Sequence, residues 1–150
     1  MVEIRKGEAR DKDDYLRVQF AVFPGEITQR KRHEQYFDLK ITRDEILVLI
    51  QGDEYIGHFT FSRMISPPFP GSIYLEEIAI LQDYQGKGHG TRAMNEIITM
   101  GKKEGFHQVW LDTWASTRNR ALKFYKKFGF EKRGTVTKDG FKEYFLCLDF

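Results

Sequence analysis

Cysteine is nearly absent, proline is scarce, and no long apolar run occurs; each shortage narrows what the chain can be. The one cysteine, Cys147, leaves no internal disulfide partner and argues against a structural zinc site. Four prolines are present, three of them in Ser66-Pro67-Pro68-Phe69-Pro70-Gly71, a stretch that cannot be regular structure. No segment approaches the roughly 20 apolar residues of a membrane span, and Met1-Val2-Glu3-Ile4-Arg5-Lys6 has no apolar signal-peptide core behind it. The expectation is a cytoplasmic protein with no membrane partner. Charge of either sign is not in excess: 24 Lys and Arg against 22 Asp and Glu give a net +2, which does not point to nucleic acid. There are no repeats, low-complexity segments or linkers, so 150 residues predict one domain, 1–150. What is abundant is aromatic residues, 13 of them Phe, suited to a compact core or to an aromatic-lined cleft.

The most informative stretch is residues 73–103. Ile73-Tyr74-Leu75-Glu76-Glu77-Ile78-Ala79-Ile80-Leu81 is short, β-branched and aromatic, and reads as a strand. Residues 91–103 read as a helix, with Met94, Ile97, Ile98 and Gly101 at helical spacing on one face. Between them lies Gln85-Gly86-Lys87-Gly88-His89-Gly90-Thr91. Strand, glycine loop and helix in that order aim unpartnered backbone N–H groups and the positive end of the helix dipole at an anion. Glycines at alternate positions remove side chains that would hold a phosphate away. Lys87 and His89 offer positive charge. The bottom-up reading is a phosphate or pyrophosphate site; the bland one is a glycine-rich turn capping a helix.

Two familiar anion loops do not fit. The phosphate loop of nucleoside triphosphatases needs G-x-x-x-x-G-K-[ST], but here the lysine precedes the second glycine and no Ser or Thr follows it. The dinucleotide fingerprint needs G-x-G-x-x-G; here the third glycine comes one residue early. Asp112 lies near the position of that fingerprint's acid, yet no strand-helix-strand unit precedes the loop. Gln85-Gly86-Lys87-Gly88-His89-Gly90 does match Q/R-x-x-G-x-G/A, and in this the chain resembles the GNAT superfamily of N-acetyltransferases.

The remaining elements run in the order that this resemblance implies. Val2-Glu3-Ile4-Arg5 reads as a strand and residues 11–23 as a helix with Tyr15, Val18 and Val22 inward. Pro24-Gly25 breaks it, and residues 28–39 form a second helix. Its Arg30-Lys31-Arg32-His33 run reads as a solvated face, because Glu34 and Asp38 follow. Strands are expected at residues 45–50 and 55–64, with Gly57 at a bulge, then at 108–113, 130–134 and 141–148. A last helix at 120–127 is stopped by Gly129. The resemblance implies an α/β (α+β) GNAT fold: a mixed, mostly antiparallel central sheet of six to seven strands, splayed at the cofactor site and flanked by about four helices.

The resemblance also implies the chemistry. Acetyl-coenzyme A would be the cosubstrate, with no metal. Gln85, Gly86, Lys87, Gly88, His89, Gly90 and Thr91 would hold its pyrophosphate, and the backbone of Ile78, Ala79 and Ile80 its pantetheine arm. Phe124-Tyr125-Lys126-Lys127-Phe128-Gly129-Phe130 is similar to the family's F/L-Y-x-x-x-G-F segment, whose tyrosine is the general acid for the departing thiolate. A phenol is protonated at neutral pH, as that role needs. Taken alone, Tyr125 would read as a core tyrosine. Asn119 resembles an asparagine that contacts cofactor or orders the helix entry, although it sits one residue nearer the tyrosine than usual; Ser116 or Thr117 offers an alternative cap.

Neighbouring Glu76 and Glu77 should point to opposite faces of the strand. By likeness to family branches acting on polyamines, Glu76 is the candidate base; a salt-bridged pair on a solvated edge is the other reading. His58, His89 and His107 show no spacing for nucleophilic catalysis, so direct transfer is expected, and Cys147 reads as core. The acceptor would be a small-molecule or peptide amine, a polyamine or other small amine being favoured over a protein N-terminus or lysine. The protein would act as a monomer or homodimer. The rival from another class is a non-catalytic acyl-coenzyme A-binding module.

Overall fold

The structure, a computed structural model, describes residues 1–64, 71–116 and 118–150, and all of these except the side chain of Lys138 in full. Seven strands and four α-helices follow the expected order: β1 (Val2–Lys6), α1 (Lys12–Val22), α2 (Arg30–Arg43), β2 (Ile46–Gln51), β3 (Glu54–Met64), β4 (Ser72–Ile80), α3 (His89–Lys103), β5 (Gln108–Trp114), α4 (Arg120–Phe128), β6 (Glu131–Lys138) and β7 (Phe141–Asp149). The strand order is β1-β2-β3-β4-β5-β7-β6 in an open sheet. β4 and β5 run parallel, while β1–β2, β2–β3, β5–β7 and β6–β7 are antiparallel. The expected loop at residues 66–70 and the alternative cap Thr117 lie outside the described residues.

The chain gathers into two compact units, and each draws on two stretches of sequence. The first takes residues 1–62 and 76–96, the second 63–75 and 97–150, so β4 changes unit between Leu75 and Glu76. In the first unit Tyr15, Leu16, Val18 and Phe20 of α1 and Phe37 of α2 share a core with Ile46, Val48, Tyr55 and Ala79 of the strands. Apolar residues three and four apart on α1 fall on one side of the helix, and burying them drives its docking. The bulge expected at Gly57 is present: Leu49 pairs with Gly57 and Ile50 with Tyr55, leaving Ile56 without a partner on β2. Ile56 instead turns its carbonyl to the N–H of Leu81, at 2.9 Å. Gly57 is needed because a Cβ there would stand 2.6 Å from the carbonyl oxygen of Ala79.

In the second unit β4 and β5 pair over Ser72–Tyr74 and Gln108–Trp110, and the Tyr74 hydroxyl donates to Asp112. The hairpin β6–β7 turns through Asp139 (φ 50°) and Gly140 (φ 81°), the left-handed pair that a tight two-residue turn requires. α4 ends at Gly129 (φ 118°), which takes the left-handed cap.

The bounds of α2 and α3 differ most from the sequence expectation, and α2 begins at Arg30 rather than at residue 28. α2 continues four residues past Leu39, to Arg43, and ends where Asp44 turns left-handed at φ 55°. The cause is Lys40, which the core recruits. α3 starts at His89 rather than Thr91, because Gly88 already occupies the cap position.

Candidate active site

The loop after β4 leads into α3 through Gly88. The Gly88 carbonyl accepts from Arg92 N–H at 3.1 Å, the first bond of α3. Gly88 therefore caps the helix without a side-chain oxygen to give its first turn. Among the described residues, the N–H groups of Gly88, His89, Gly90 and Thr91 have no hydrogen-bond partner. Gly86 and Gly88 have φ of 74° and 85°, and a Cβ on either would meet nothing within 4 Å. The backbone thus bends in a way that side chains resist, around open space. A pyrophosphate fits such a cradle, and these residues would hold it.

Charge and anchoring come from the neighbours. Lys87 is exposed and lies over the Tyr84 ring, 5.7 Å from its centroid. His89 is held toward its neutral form, first by burial and then by the positive charges of Arg92 and Lys87. The cations here are therefore Lys87 and Arg92, and Arg92 was not foreseen from sequence. Gln85 donates its amide to the Ile80 carbonyl at 2.8 Å, tying the loop back to the end of β4. Ala79 is fully buried, while Ile78 and Ile80 are half-buried.

The two strand glutamates do not diverge as alternation predicts. Glu76 meets Lys40 Nζ at 2.5 Å and accepts from Ser62 Oγ at 3.0 Å. Its Oε1 also lies 2.9 Å from the Tyr36 hydroxyl, which is itself 2.8 Å from Thr60 Oγ1. Glu77 accepts from the Tyr15 hydroxyl at 2.9 Å and from Thr60 Oγ1 at 3.3 Å. Both carboxylates thus reach the Tyr36–Thr60 pair: strand alternation fixes the Cβ directions, but polar groups from α2 and β3 decide where the two-methylene stems lead.

The environments of the two acids differ sharply. Lys40 is 1% exposed and also contacts the Phe61 carbonyl at 2.6 Å, Ser62 Oγ at 2.8 Å and Glu45 at 3.2 Å. That cation holds Glu76 in an ion pair. Among the described residues Glu77 has no such cation, and burial pushes its carboxyl up to about 7. The phenols of Tyr15 and Tyr36 are pushed up as well, by burial first and then by Glu77.

Around Glu77 lies a buried polar network that the sequence reading missed. His33 is only 9% exposed, although the basic run holding it reads as solvated. Arg30 does behave that way, pairing with Glu34 at 3.1 Å on the surface. His33 Nε2 meets Glu26 at 2.9 Å, and Nδ1 faces Tyr15 at 3.4 Å and Glu77 at 3.8 Å. Gln19 donates to Glu26 at 3.1 Å and accepts from His58 Nε2 at 2.7 Å, and the other His58 nitrogen accepts from Tyr55 at 2.9 Å. Burial, with His33 nearby, lowers His58 to about 3, so it is neutral. Glu26, His33 and Glu77 bring ligand-type atoms within 4.8 Å of one another. His33 turns Nε2 to Glu26 and Nδ1 to Glu77, and Tyr15 bridges the wider gap on the Glu77 side. The available signal was spacing: His33, Tyr36, Phe37 and Lys40 recur at three and four residues on one face of α2.

In the second unit, Tyr125 is 8% exposed and packs edge-on against Phe130, with ring centroids 5.6 Å apart. Among the described residues its hydroxyl has no hydrogen-bond partner. Burial, then Asp112, pushes this phenol up and keeps it protonated. Asn119, rather than Ser116, caps α4. Its Oδ1 accepts from Ala121 N–H at 3.0 Å, while its amide donates to Thr113 Oγ1 at 2.8 Å and to the Trp114 carbonyl at 2.7 Å. Cys147 is buried in β7, and burial pushes its thiol up to about 11, which leaves it inert.

Comparison with known proteins decides the family. Residues 12–130 match the model of the acetyltransferase (GNAT) family. The chain belongs to the GNAT family. A curated relative, an uncharacterized N-acetyltransferase of Methanocaldococcus jannaschii, is 30% identical over 142 residues; the match covers 89% of this chain and 62% of the relative. The chain thus spans about six-tenths of that relative's length. Among GNAT structures, the PaiA N-acetyltransferase of Thermoplasma acidophilum, solved with coenzyme A, aligns at TM-score 0.83 and 18% identity over 100% of this chain and 99% of its own. An N-acetyltransferase of Staphylococcus aureus aligns at TM-score 0.78 and 21% identity over 99% and 98%. At these identities the likeness is one of fold. The GNAT acyl donor is acetyl-coenzyme A, and the glycine cradle is the feature of this chain that fits it. Among the described residues, no helix is long and apolar enough to cross a membrane.

Proposed function

We propose that the chain transfers an acetyl group from acetyl-coenzyme A to a primary amine by direct attack, with Glu77 as base and Tyr125 as acid. The observation that carries this is the Gly88-capped start of α3 in a GNAT chain. When bound, acetyl-coenzyme A supplies the activated acyl group and the thiolate leaving group. Gly86, Lys87, Gly88, His89, Gly90 and Thr91 orient its pyrophosphate with N–H groups and the charge of Lys87. Gln85 holds the Ile80 carbonyl, and Ile78, Ala79 and Ile80 offer backbone to the pantetheine arm. The occupied amide of Asn119 supports a role in ordering the helix entry.

An amine at neutral pH must lose a proton before it attacks. What supports Glu77 over the expected Glu76 is its carboxyl near 7, well placed for that task, and the ion pair that holds Glu76. Tyr125 keeps its proton at neutral pH and gives it toward the charge developing on sulfur. Grouped acids on β4 suit a small cationic amine or polyamine. A peptide N-terminus or lysine is the alternative acceptor, and a non-catalytic acyl-coenzyme A-binding module the alternative class.

The test is thermal melting with acetyl-coenzyme A, coenzyme A, NAD and ATP, followed by an amine panel with thiol-release detection. Stabilisation by the coenzyme A species alone and turnover of a primary amine are expected. Stabilisation by NAD alone would overturn the loop reading. Binding without turnover of any amine would leave the binding module. Tyr125→Phe should lower kcat by about a hundredfold with cofactor affinity kept; equal loss in both removes the acid role.

A further inference from the structure

One hydroxyl hydrogen in the first unit has two acceptors. Tyr15 lies 2.9 Å from Glu77 Oε1 and 3.4 Å from His33 Nδ1, and it can donate to only one at a time. When Glu77 is ionised the hydrogen belongs to the carboxylate. When Glu77 is protonated its O–H donates to Tyr15, and the Tyr15 hydrogen must turn to His33. His33 can receive it, because Nε2 carries the hydrogen donated to Glu26 and leaves Nδ1 bare in the neutral ring. Glu26 has a side chain 38% exposed, and Gln19, itself fixed by His58, holds it in place.

We propose that Tyr15, His33 and Glu26 form a proton exit that returns Glu77 to its ionised state after each turnover. The proposal rests on the reading of Glu77 as base. The Glu77 O–H bond breaks as Tyr15 Oη takes the proton. The former Tyr15 hydrogen passes to His33 Nδ1, and the His33 Nε2 hydrogen passes to Glu26, which releases it to water. One proton leaves Glu77, one arrives at Glu26, and Tyr15 and His33 stay neutral. Exchange of the His33 hydrogen back to Nε2 through water, with rotation of the Tyr15 hydroxyl, resets the chain. The titratable groups facing it are Tyr15 from α1, Glu26 from the segment before α2, His33 and Tyr36 from α2, Tyr55 and His58 from β3, and Glu76 beside Glu77. His58 is neutral and the three tyrosines are held protonated, so none of them competes with Glu77 for the proton. His33 and Tyr15 act through Glu77 and are positioning residues.

Two-bond proton–nitrogen NMR of the full chain labelled at histidine tests this without any acceptor. With Glu77 ionised, His33 should be the Nε2–H tautomer that donates to Glu26. Its Nδ1 resonance should move as Glu77 titrates, and Glu77→Gln and Tyr15→Phe should each abolish that movement. An Nδ1–H tautomer, or the same movement in Glu77→Gln, overturns the proposal. In turnover with a primary amine from the panel, His33→Gln should lower kcat at least about tenfold, leave KM unchanged, and recover with added imidazole. A loss that imidazole does not restore, in His33→Gln and His33→Asn alike with native melting curves, makes His33 merely structural. Full activity and an unmoved pH profile in Glu77→Gln would sink the base instead, whatever the NMR shows.

Discussion

Lys40 Nζ stands 2.5 Å from Glu76 Oε1, with the lysine buried at 1% exposure and the carboxylate at the edge of solvent. A lysine in the last turns of a helix usually reaches outward. This one points inward because three further oxygens, from Glu45, Phe61 and Ser62, complete its shell. Lys40→Met removes the charge at nearly constant volume and leaves Glu45 and Glu76 without their cation. Destabilisation of about 3–5 kcal/mol is expected in urea unfolding. Glu45→Gln together with Lys40→Met should recover part of it.

Glu77 makes stability fall as pH rises. Its ordinary value is 4.5 and the folded protein holds it near 7. Below about 4.5 both folded and unfolded chains carry the proton, and the residue contributes nothing to pH dependence. Between about 4.5 and 7 the unfolded chain releases its proton first, so the folded state loses stability across that window, on the order of 3 kcal/mol. Glu77→Gln should remove this slope. The difference between wild type and variant in urea unfolding, followed from pH 4 to 8, isolates it; a constant difference would mean that Glu77 ionises normally.

Gly57 sets how closely β3 approaches the end of β4. A methyl there would lie 2.6 Å from the Ala79 carbonyl and 3.2 Å from Ile80 Cα, and both are backbone that cannot turn aside. Gly57→Ala should cost about 1–3 kcal/mol and weaken coenzyme A binding in calorimetry, because it displaces Ala79 and Ile80. Gly25→Ala, whose Cβ would meet nothing within 4 Å, is the control and should change neither.

Asn119 combines a cap with a tie to β5, and the two can be separated. Asn119→Asp keeps the acceptor for Ala121 but removes the donor to Thr113 and Trp114; Asn119→Ala removes both. The alanine variant should lose about 1–2 kcal/mol, and the aspartate variant less. Equal losses would assign all of the effect to the tie.

The element order was legible because each strand and helix carries its own period, and the bend of the loop before α3 was legible because glycine is hard to replace at positive φ. Gly86 and Gly88 do turn left-handed. The polar interior was not legible. His33 and Lys40 are residue types that usually face water, and nothing local marks them as buried; the groups that bury them, Glu26, Glu76 and Phe61, come from other parts of the chain. Glu76 and Glu77 were singled out as a pair, but their roles separate only through Lys40, a residue the sequence places past the end of its helix. The last turn of α2, beyond Leu39, is not marked locally for the same reason: it is held by what Lys40 touches.

The division of β4 between two units has a consequence for synthesis. Residues 1–62 leave the ribosome first but lack the strand half and helix start that complete their unit, which end at Glu96. Before those arrive, residues 63–75 emerge, whose own unit is finished only by Phe150. The first unit is thus complete at Glu96 while residues 63–75 still wait for the rest of theirs. A chain cut between Leu75 and Glu76 would leave each fragment with an unpaired strand edge, so genetic splitting should be sought at a hairpin tip such as Asp139–Gly140.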